Sequence, residues 1–569
     1  MNTSSKKTSV IIAFLMIIPV AALFLSLYII NNSSAPDEES SAVSETASSA
    51  AESAEPESEE ESEEEPVSKP EPTPDEYFEF TLLEDGTYEI AAKDKDDLPA
   101  VTVLPSEHEG KPITQIATGG FAGCYSLESV FLPQSLKNIK NLAFTESRRL
   151  KSVSISSDGV YIDSTAFLGC LALEYAEYGG CLYLGDEENP YRALIQIKDT
   201  SAEAVETEPS ATSVAAYAFM GCDSLKRVAI HEKVTVIGDG AFADCTALTD
   251  IVIPKGVEYI AYYTFGGCTA LKTAVIPASV TEIGNQAFEN CASLETAVIP
   301  ASVTEIGRQA FENCASLKTV IISGDAVLIS RSAFEKCDSL EYTEYGNCLY
   351  LGDGENPYRA LIKAKDGSVG SVEIAPGTGS IAEYAFARCG ELTAVTVPDG
   401  LTVIGRWAFS RCGGLTYLNI PESVEYIGND VCALCSSLKE LRLPAELKYL
   451  GAEAFIGCVS LPNIVIPRGV TSIGTRTFMQ CSLVKDISVP EGVTEIGINA
   501  FCYCTNLESV TLPQSVRFID TDAFTFCHSL TDIYYYGTAA QWAEIEKSES
   551  WNTDTGSYVV HCTDGDINK

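Results

Sequence analysis

The sequence predicts a β-rich repeat solenoid of sixteen 23-residue coils with two β-hairpin insertions, preceded by an N-terminal membrane helix and a disordered acidic stalk. Three observations predict it. Phe recurs at 121, 144 and 167, at 219, 242, 265, 288, 311 and 334, at 386 and 409, and at 455, 478, 501 and 524, with Cys432 in the one missing place. Every step in that column is 23 residues except two steps of 52. Rows 277–299 and 300–322 match at 19 of 23 positions, which tandem duplication explains and chance does not.

Lys6 and Lys7 precede a predominantly apolar run, Val10 to Ile30, of 21 residues. A hydrocarbon core of ~30 Å needs ~20 helical residues, so residues 10–30 are expected to span as a signal anchor. The basic flank keeps residues 1–9 in the cytoplasm and places the C-terminal bulk outside the cell. A secreted product follows if the segment is instead cleaved near Ser33–Ala35. Residues 31–76 hold Ser, Ala, Glu and Pro, and from Asp37 to Glu76 there are 16 acidic residues and one Lys. Such a stretch buries too little apolar surface to offset ordering entropy, so it is expected to be a disordered linker longer than the ~35–40 Å of a neutral chain.

Residues 77–110 are expected to cap the array, with Tyr77 to Ile90 alternating around Asp85-Gly86 as a hairpin. Residues 111–536 form the solenoid. Val280 to Pro300 is a representative coil, in which Val280, Ile283, Phe288, Cys291, Leu294 and Ile299 are the recurring apolar positions. Leu294 to Ile299 alternates as a short strand that Pro300 ends, and Gly284 sits at a bend where a Cβ would clash. One such coil has too little core to fold alone, so stability is a sum over stacked neighbours. The two long steps contain segments 174–199 and 341–366, which agree at 21 of 26 positions. Each reads as a hairpin with a strand at Leu182–Leu184, a turn at Asp186–Pro190 and a return at Tyr191–Ile195 in the first copy. Residues 537–569, with Gln541-Trp542 and Trp551 to Cys562, are expected to close the other end.

Ala287-Phe288, Cys291, Leu294 and Ile299-Pro300 follow the pattern A-F-x-x-C-x-x-L-x-x-V-x-I-P, repeated in register from about Tyr77 to the C-terminus. This resembles the BspA-like leucine-rich-repeat proteins of bacterial surfaces. The resemblance implies a leucine-rich-repeat array and attachment to proteins or glycans of host or neighbouring cells. The closing segment also resembles the usual end of that family, so the array is expected to be complete.

The formal net charge of −43, with 80 acidic and 37 basic residues, repels phosphate backbones, and no basic stripe offsets it, so no nucleic-acid partner is expected. Fifteen of the 20 Cys sit three residues after the Phe position, from Cys124 to Cys527, with Ser147 the one break. Their phase with Phe and Leu makes them a core ladder of free thiols rather than a redox or metal array. Cys432 and Cys435 look like a redox or zinc pair, but one stands in the Phe column and the other in the Cys column, so the motif arises from register. Cys181 and Cys348 belong to the hairpins. Asp186, Glu187, Glu188 and Asn189, with Asp353, Glu355 and Asn356, suit a turn, and oxygen-rich turns also suit calcium; the turn is preferred, and no cofactor or metal is expected. His108, His231, His528 and His561 lie far apart, and no Ser-centred elbow, P-loop or dinucleotide fingerprint is present, so no catalytic residues are expected and the chain is read as a non-enzyme.

The middle residue of the V-x-I-P unit is expected to face away from the core. Along the array it is Phe131, Ser154, Ala229, Val252, Val275, Val298, Ile321, Thr396, Asn419, Arg442, Val465, Ser488, Thr511 and Tyr534. Val252, Val275, Val298 and Ile321 are four consecutive apolar choices, a stripe some 15 Å long at ~4.8 Å per strand, flanked by Thr273, Thr296 and Thr319. β-propensity alone can produce such a stripe; so can a docking strip for a partner. The expected function is therefore a monomeric surface binding or adhesion protein, with a non-binding spacer or scaffold as the alternative.

Overall fold

The computed structural model describes residues 71–368 and 370–568. The expected tail 1–9, the expected anchor 10–30 and residues 31–70 of the expected linker lie outside the described residues. Among the described residues no helix is long and apolar enough to cross a membrane. Thr73, placed by the sequence in the linker, is buried, and its N–H donates to the Val103 carbonyl at 2.9 Å.

Pro70–Lys569 holds together as one β-solenoid unit of about 21 turns of ~23 residues. The sixteen copies of the Phe column account for most of these turns; caps and hairpins supply the rest without carrying the motif. Most coils contribute two short strands rather than the one the sequence suggests, although the coil of Phe455 forms none between Tyr449–Leu450 and Ser472–Ile473. In the representative coil they are Glu282–Ile283 and Thr296–Ile299. Both stack in parallel on the next coil, Ile283 on Ile306 and Ala297 on Val320. The first strand is two residues long, too short to show an alternation. Gly284 is needed because a Cβ there would lie 2.7 Å from the Ile260 carbonyl oxygen of the preceding coil.

Between the strands the chain turns sharply through two left-handed residues, Gln286 (φ 58) and Asn290 (φ 60), which flank Phe288. These turns drive Phe inward. The rings from Phe219 to Phe334 stack 5.1–5.5 Å apart and within 18° of parallel. Beneath them Cys291 and Leu294 are fully buried. Where Cys432 replaces the ring, Val431 stands where the representative coil has Ala287, and both are fully buried.

The hairpins are built into the solenoid, not hung upon it. Cys181–Leu184 pairs antiparallel with Ala193–Ile197, and Ala193–Ile197 then pairs parallel with the coil strand Ser213–Val214. A third strand, Ala176–Tyr178, pairs antiparallel with Cys181–Leu184 and was not anticipated; the return strand also begins at Ala193 rather than Tyr191. The second copy repeats this with Thr343–Tyr345, Cys348–Leu351 and Ala360–Ala364. Each hairpin is a seam. Leu184 and Ala193 pack with the core before it, while Cys181, Tyr183 and Leu194 pack with the core after it.

The first coil is covered by the expected hairpin, Phe78–Leu82 against Tyr88–Ala92. At the far end a short helix, Ala539–Glu544, starts on a capping box between Thr538 and Gln541 and buries Trp542. The hairpin Val559–Cys562 with Gly565–Asn568 extends the last sheet beside Asp532–Tyr535.

Candidate binding surface

The strand faces fall as the V-x-I-P unit predicts. Thr273–Val275, Thr296–Ile299 and Thr319–Ile322 are hydrogen-bonded neighbours, with Val275 opposite Val298 and Val298 opposite Ile321. Thr273, Thr296 and Thr319 form a second column in the same register. Successive side chains alternate across a strand, so both columns share the outer face. Ala274, Ala297 and Val320 point into the core. Val275 is 58% exposed and Val252 76% exposed, whereas Val298 and Ile321 are half-buried. Val252 lies one residue beyond its strand, Asp250–Ile251, so the paired strip comprises three coils with Val252 as its edge. Ile321 bridges to Gly352, where the second hairpin ends the strip.

The thiol column is buried and free throughout. Its chemistry is more specific than filling a slot. Cys268, Cys291 and Cys314 each donate Sγ–H to the carbonyl of Phe242, Phe265 and Phe288, at 3.2 Å in every case. Ser147, the one break in the column, makes the same bond to Phe121 at 2.8 Å. The position therefore takes a small side chain that is also a donor. Cys435 bonds the Phe409 carbonyl like its column mates, which is the register origin expected for the Cys432–Cys435 motif. Cys181 and Cys348 are free, and burial pushes their thiols up to about 12 and about 11.

The two hairpin aspartates are committed to the turn. Asp186 accepts the Asn189 N–H at 2.8 Å and pairs with Arg192, which also reaches Asp158 of the preceding coil. Asp353 accepts from Asn356 and Glu355 and pairs with Arg359, which reaches Asp325. The histidines remain apart. His108 stacks on Phe80 and bonds Asp75, His231 bonds Glu206, and His561 bonds Asp532 and Asp566.

A family model described as the BspA type leucine rich repeat region matches in six copies, over residues 107–185, 199–348, 364–484 and 448–548. That is more than half of the chain. The chain belongs to the BspA-type leucine-rich-repeat family. No curated protein matches it. A leucine-rich-repeat protein from Bacteroides ovatus is 23% identical, with 81% of this chain and 98% of that one covered and a TM-score of 0.26. A leucine-rich cell surface protein from Faecalibacterium prausnitzii is 24% identical over 84% and 98%, with a TM-score of 0.23. The pneumococcal vaccine antigen PcpA is 17% identical over 84% and 96%, with a TM-score of 0.26.

One cluster in this BspA-type array escaped the sequence reading. Tyr384 and Trp407, two places before the Phe column, stack at 4.7 Å, and Arg331 lies over the Tyr384 ring at 4.9 Å. The signal was present as two aromatic residues at one turn position in adjacent coils, outside the recurring apolar pattern.

Proposed function

We propose that the protein is a cell-surface binding protein, tethered through residues 10–30 with the repeat array outside, and that its outer sheet strip docks a protein of a host or neighbouring cell. One observation carries this reading: Val275, Val298 and Ile321 stand in a single register on the outer face, beside an equally regular Thr column. A spacer without a ligand needs no apolar ladder where solvated polar residues would serve. Methyl-lined sheet surface suits a protein partner, which can desolvate it closely.

The test replaces Val252, Val275, Val298 and Ile321 together by Thr. The β-branch is kept and two of the four sites are largely solvated, so folding should lose less than about 2 kcal/mol. Leu294→Ala, a fully buried control, should lose about 2–5 kcal/mol. Attachment to cells or matrix should fall at least tenfold in the quadruple variant, because docking energy concentrates in a few desolvated positions. Unchanged attachment would return the strip to ordinary sheet composition and favour the spacer.

A further inference from the structure

A second feature lies in other coils and on another segment of the repeat. Just past the second hairpin the turns line an open cleft of about 450 Å³. Pockets of roughly 300–1,000 Å³ hold small ligands. Its floor is the position after the Phe column, and there Ala387, Ser410 and Ala433 replace the Glu289, Glu312 and Glu335 of earlier coils. Small floor residues make the depression. On one wall, half-buried Tyr384 and Trp407 stack with planes 22° apart, continued by Asp430 and Glu453. On the other, Arg388 and Arg411 occupy one turn position in adjacent coils and are exposed. Among the described residues neither guanidinium has a carboxylate partner, whereas Lys336, Arg359 and Arg406 nearby are all paired.

We propose that this cleft binds an acidic sugar, a carboxylated pyranose whose apolar face stacks on Trp407 and Tyr384 while its carboxylate meets Arg388 and Arg411. Aromatic faces carry negative charge density and attract the polarised C–H groups of a ring laid on them. Guanidinium forks match a carboxylate in two parallel hydrogen bonds and relieve the repulsion between the two arginines. Asp430 and Glu453 then accept from the sugar hydroxyls. Next to Tyr384, the buried Glu383 carboxylate accepts the backbone N–H of Arg331 at 3.4 Å and so ties together the coils on either side of the hairpin.

The chain contains its own comparison. The first hairpin junction has the same register, but Ser164, Ala216 and Gly240 stand there in place of Arg331, Glu383 and Trp407, and Gly221 and Asp244 replace Arg388 and Arg411. The framework was duplicated; this chemistry occurs at one copy.

The test titrates the full-length chain with sialyllactose and, separately, with a hyaluronan tetrasaccharide, using lactose as the neutral control. Calorimetry and tryptophan fluorescence give the affinity. At least one acidic probe should bind about tenfold or more tightly than lactose, and added salt should weaken it. Which acid binds identifies the source of the sugar. Trp407→Gly and Arg411→Asn should each lower that affinity at least tenfold. Other coils already carry these residues at the same left-handed positions, as Gly240 and Asn290 do, so melting should hold. If Trp407→Gly lowers melting, the exposed Arg411→Asn decides alone. Neither acid binding better than lactose, or Arg411→Asn binding like wild type, overturns the proposal.

Discussion

Changing Cys291 to Ala tests whether the thiol column is chosen for its donor or only for its size. The side chain has no solvent contact, and its Sγ lies 3.2 Å from the Phe265 carbonyl. Removing the sulfur forfeits about one methylene's worth of burial, ~0.8 kcal/mol. A residual void of roughly 25 Å³ at ~24 cal/mol per Å³ adds about 0.6. A weak S–H bond adds about 0.5, for a total near 2 kcal/mol. Cys291→Ser keeps the bond, as Ser147 does at 2.8 Å, and should cost less than Ala. A solenoid distributes a local defect only to neighbouring coils, so hydrogen exchange of peptides spanning 277–322 is the appropriate readout beside the denaturation midpoint. The same samples, alkylated before and after unfolding, should show Cys562, the one half-buried thiol, labelled natively and all 20 labelled after unfolding. An Ala variant within 0.5 kcal/mol of wild type, or a Ser variant weaker than Ala, would refute the donor role.

Three further outcomes follow from single sites. Cys432→Phe alone should overpack a slot already filled by Val431 and cost about 1–3 kcal/mol, whereas adding Val431→Ala restores the usual pair and should recover most of it; equal melting of the two variants would contradict this. Leu142 is held at φ 58, so Leu142→Gly should raise stability by about 0.5–1 kcal/mol once glycine's greater entropy loss is deducted, as read from the melting temperature. His561 has its pKa raised above 6.5 by hydrogen bonds first to Asp532 and then to Asp566. A raised folded value means the contribution is complete below pH 6.5 and is lost as pH climbs through the folded value. Exchange of Val559–Asn568 should therefore quicken with pH beyond the intrinsic rate, and His561→Gln should abolish that excess.

Much of this array was legible because a core position in a repeat speaks once every 23 residues. Phe288, Cys291 and Leu294 announce their burial by recurrence, and the V-x-I-P alternation fixes which side of Val275 and Val298 is open. The strand Glu282–Ile283 was not legible, since two residues carry no period. Ala176–Tyr178 was missed because Gly179-Gly180 was not read as a turn and its partner strand had already been given to the return. The hydrogen bond from Cys291 was hidden behind the thiol's apolar character, although Ser147 in the same column was the clue. Tyr384 and Trp407 escaped for a different reason. They occupy turn positions that differ from coil to coil, and a consensus averages such positions away.

A core residue such as Leu294 is pressed by the coils before and after it, so its substitution is costly and the column stays uniform. A turn residue is pressed on one side and solvated on the other, so the array tolerates Gly240 and Trp407 at equivalent places. The two hairpins sharpen the contrast. Both keep Tyr183 or Tyr350 fully buried, and both tie an Arg to the turn and to the preceding coil. Their framework is held by packing, which cannot distinguish one seam from the other. The ledges above them are free to differ, and they do: one carries Gly240 and Asp244, the other Trp407 and Arg411. Both surfaces proposed for binding therefore lie outside the core columns that define the repeat, one on the outer strand face and one on the turn ledge, where neighbouring coils are free to differ.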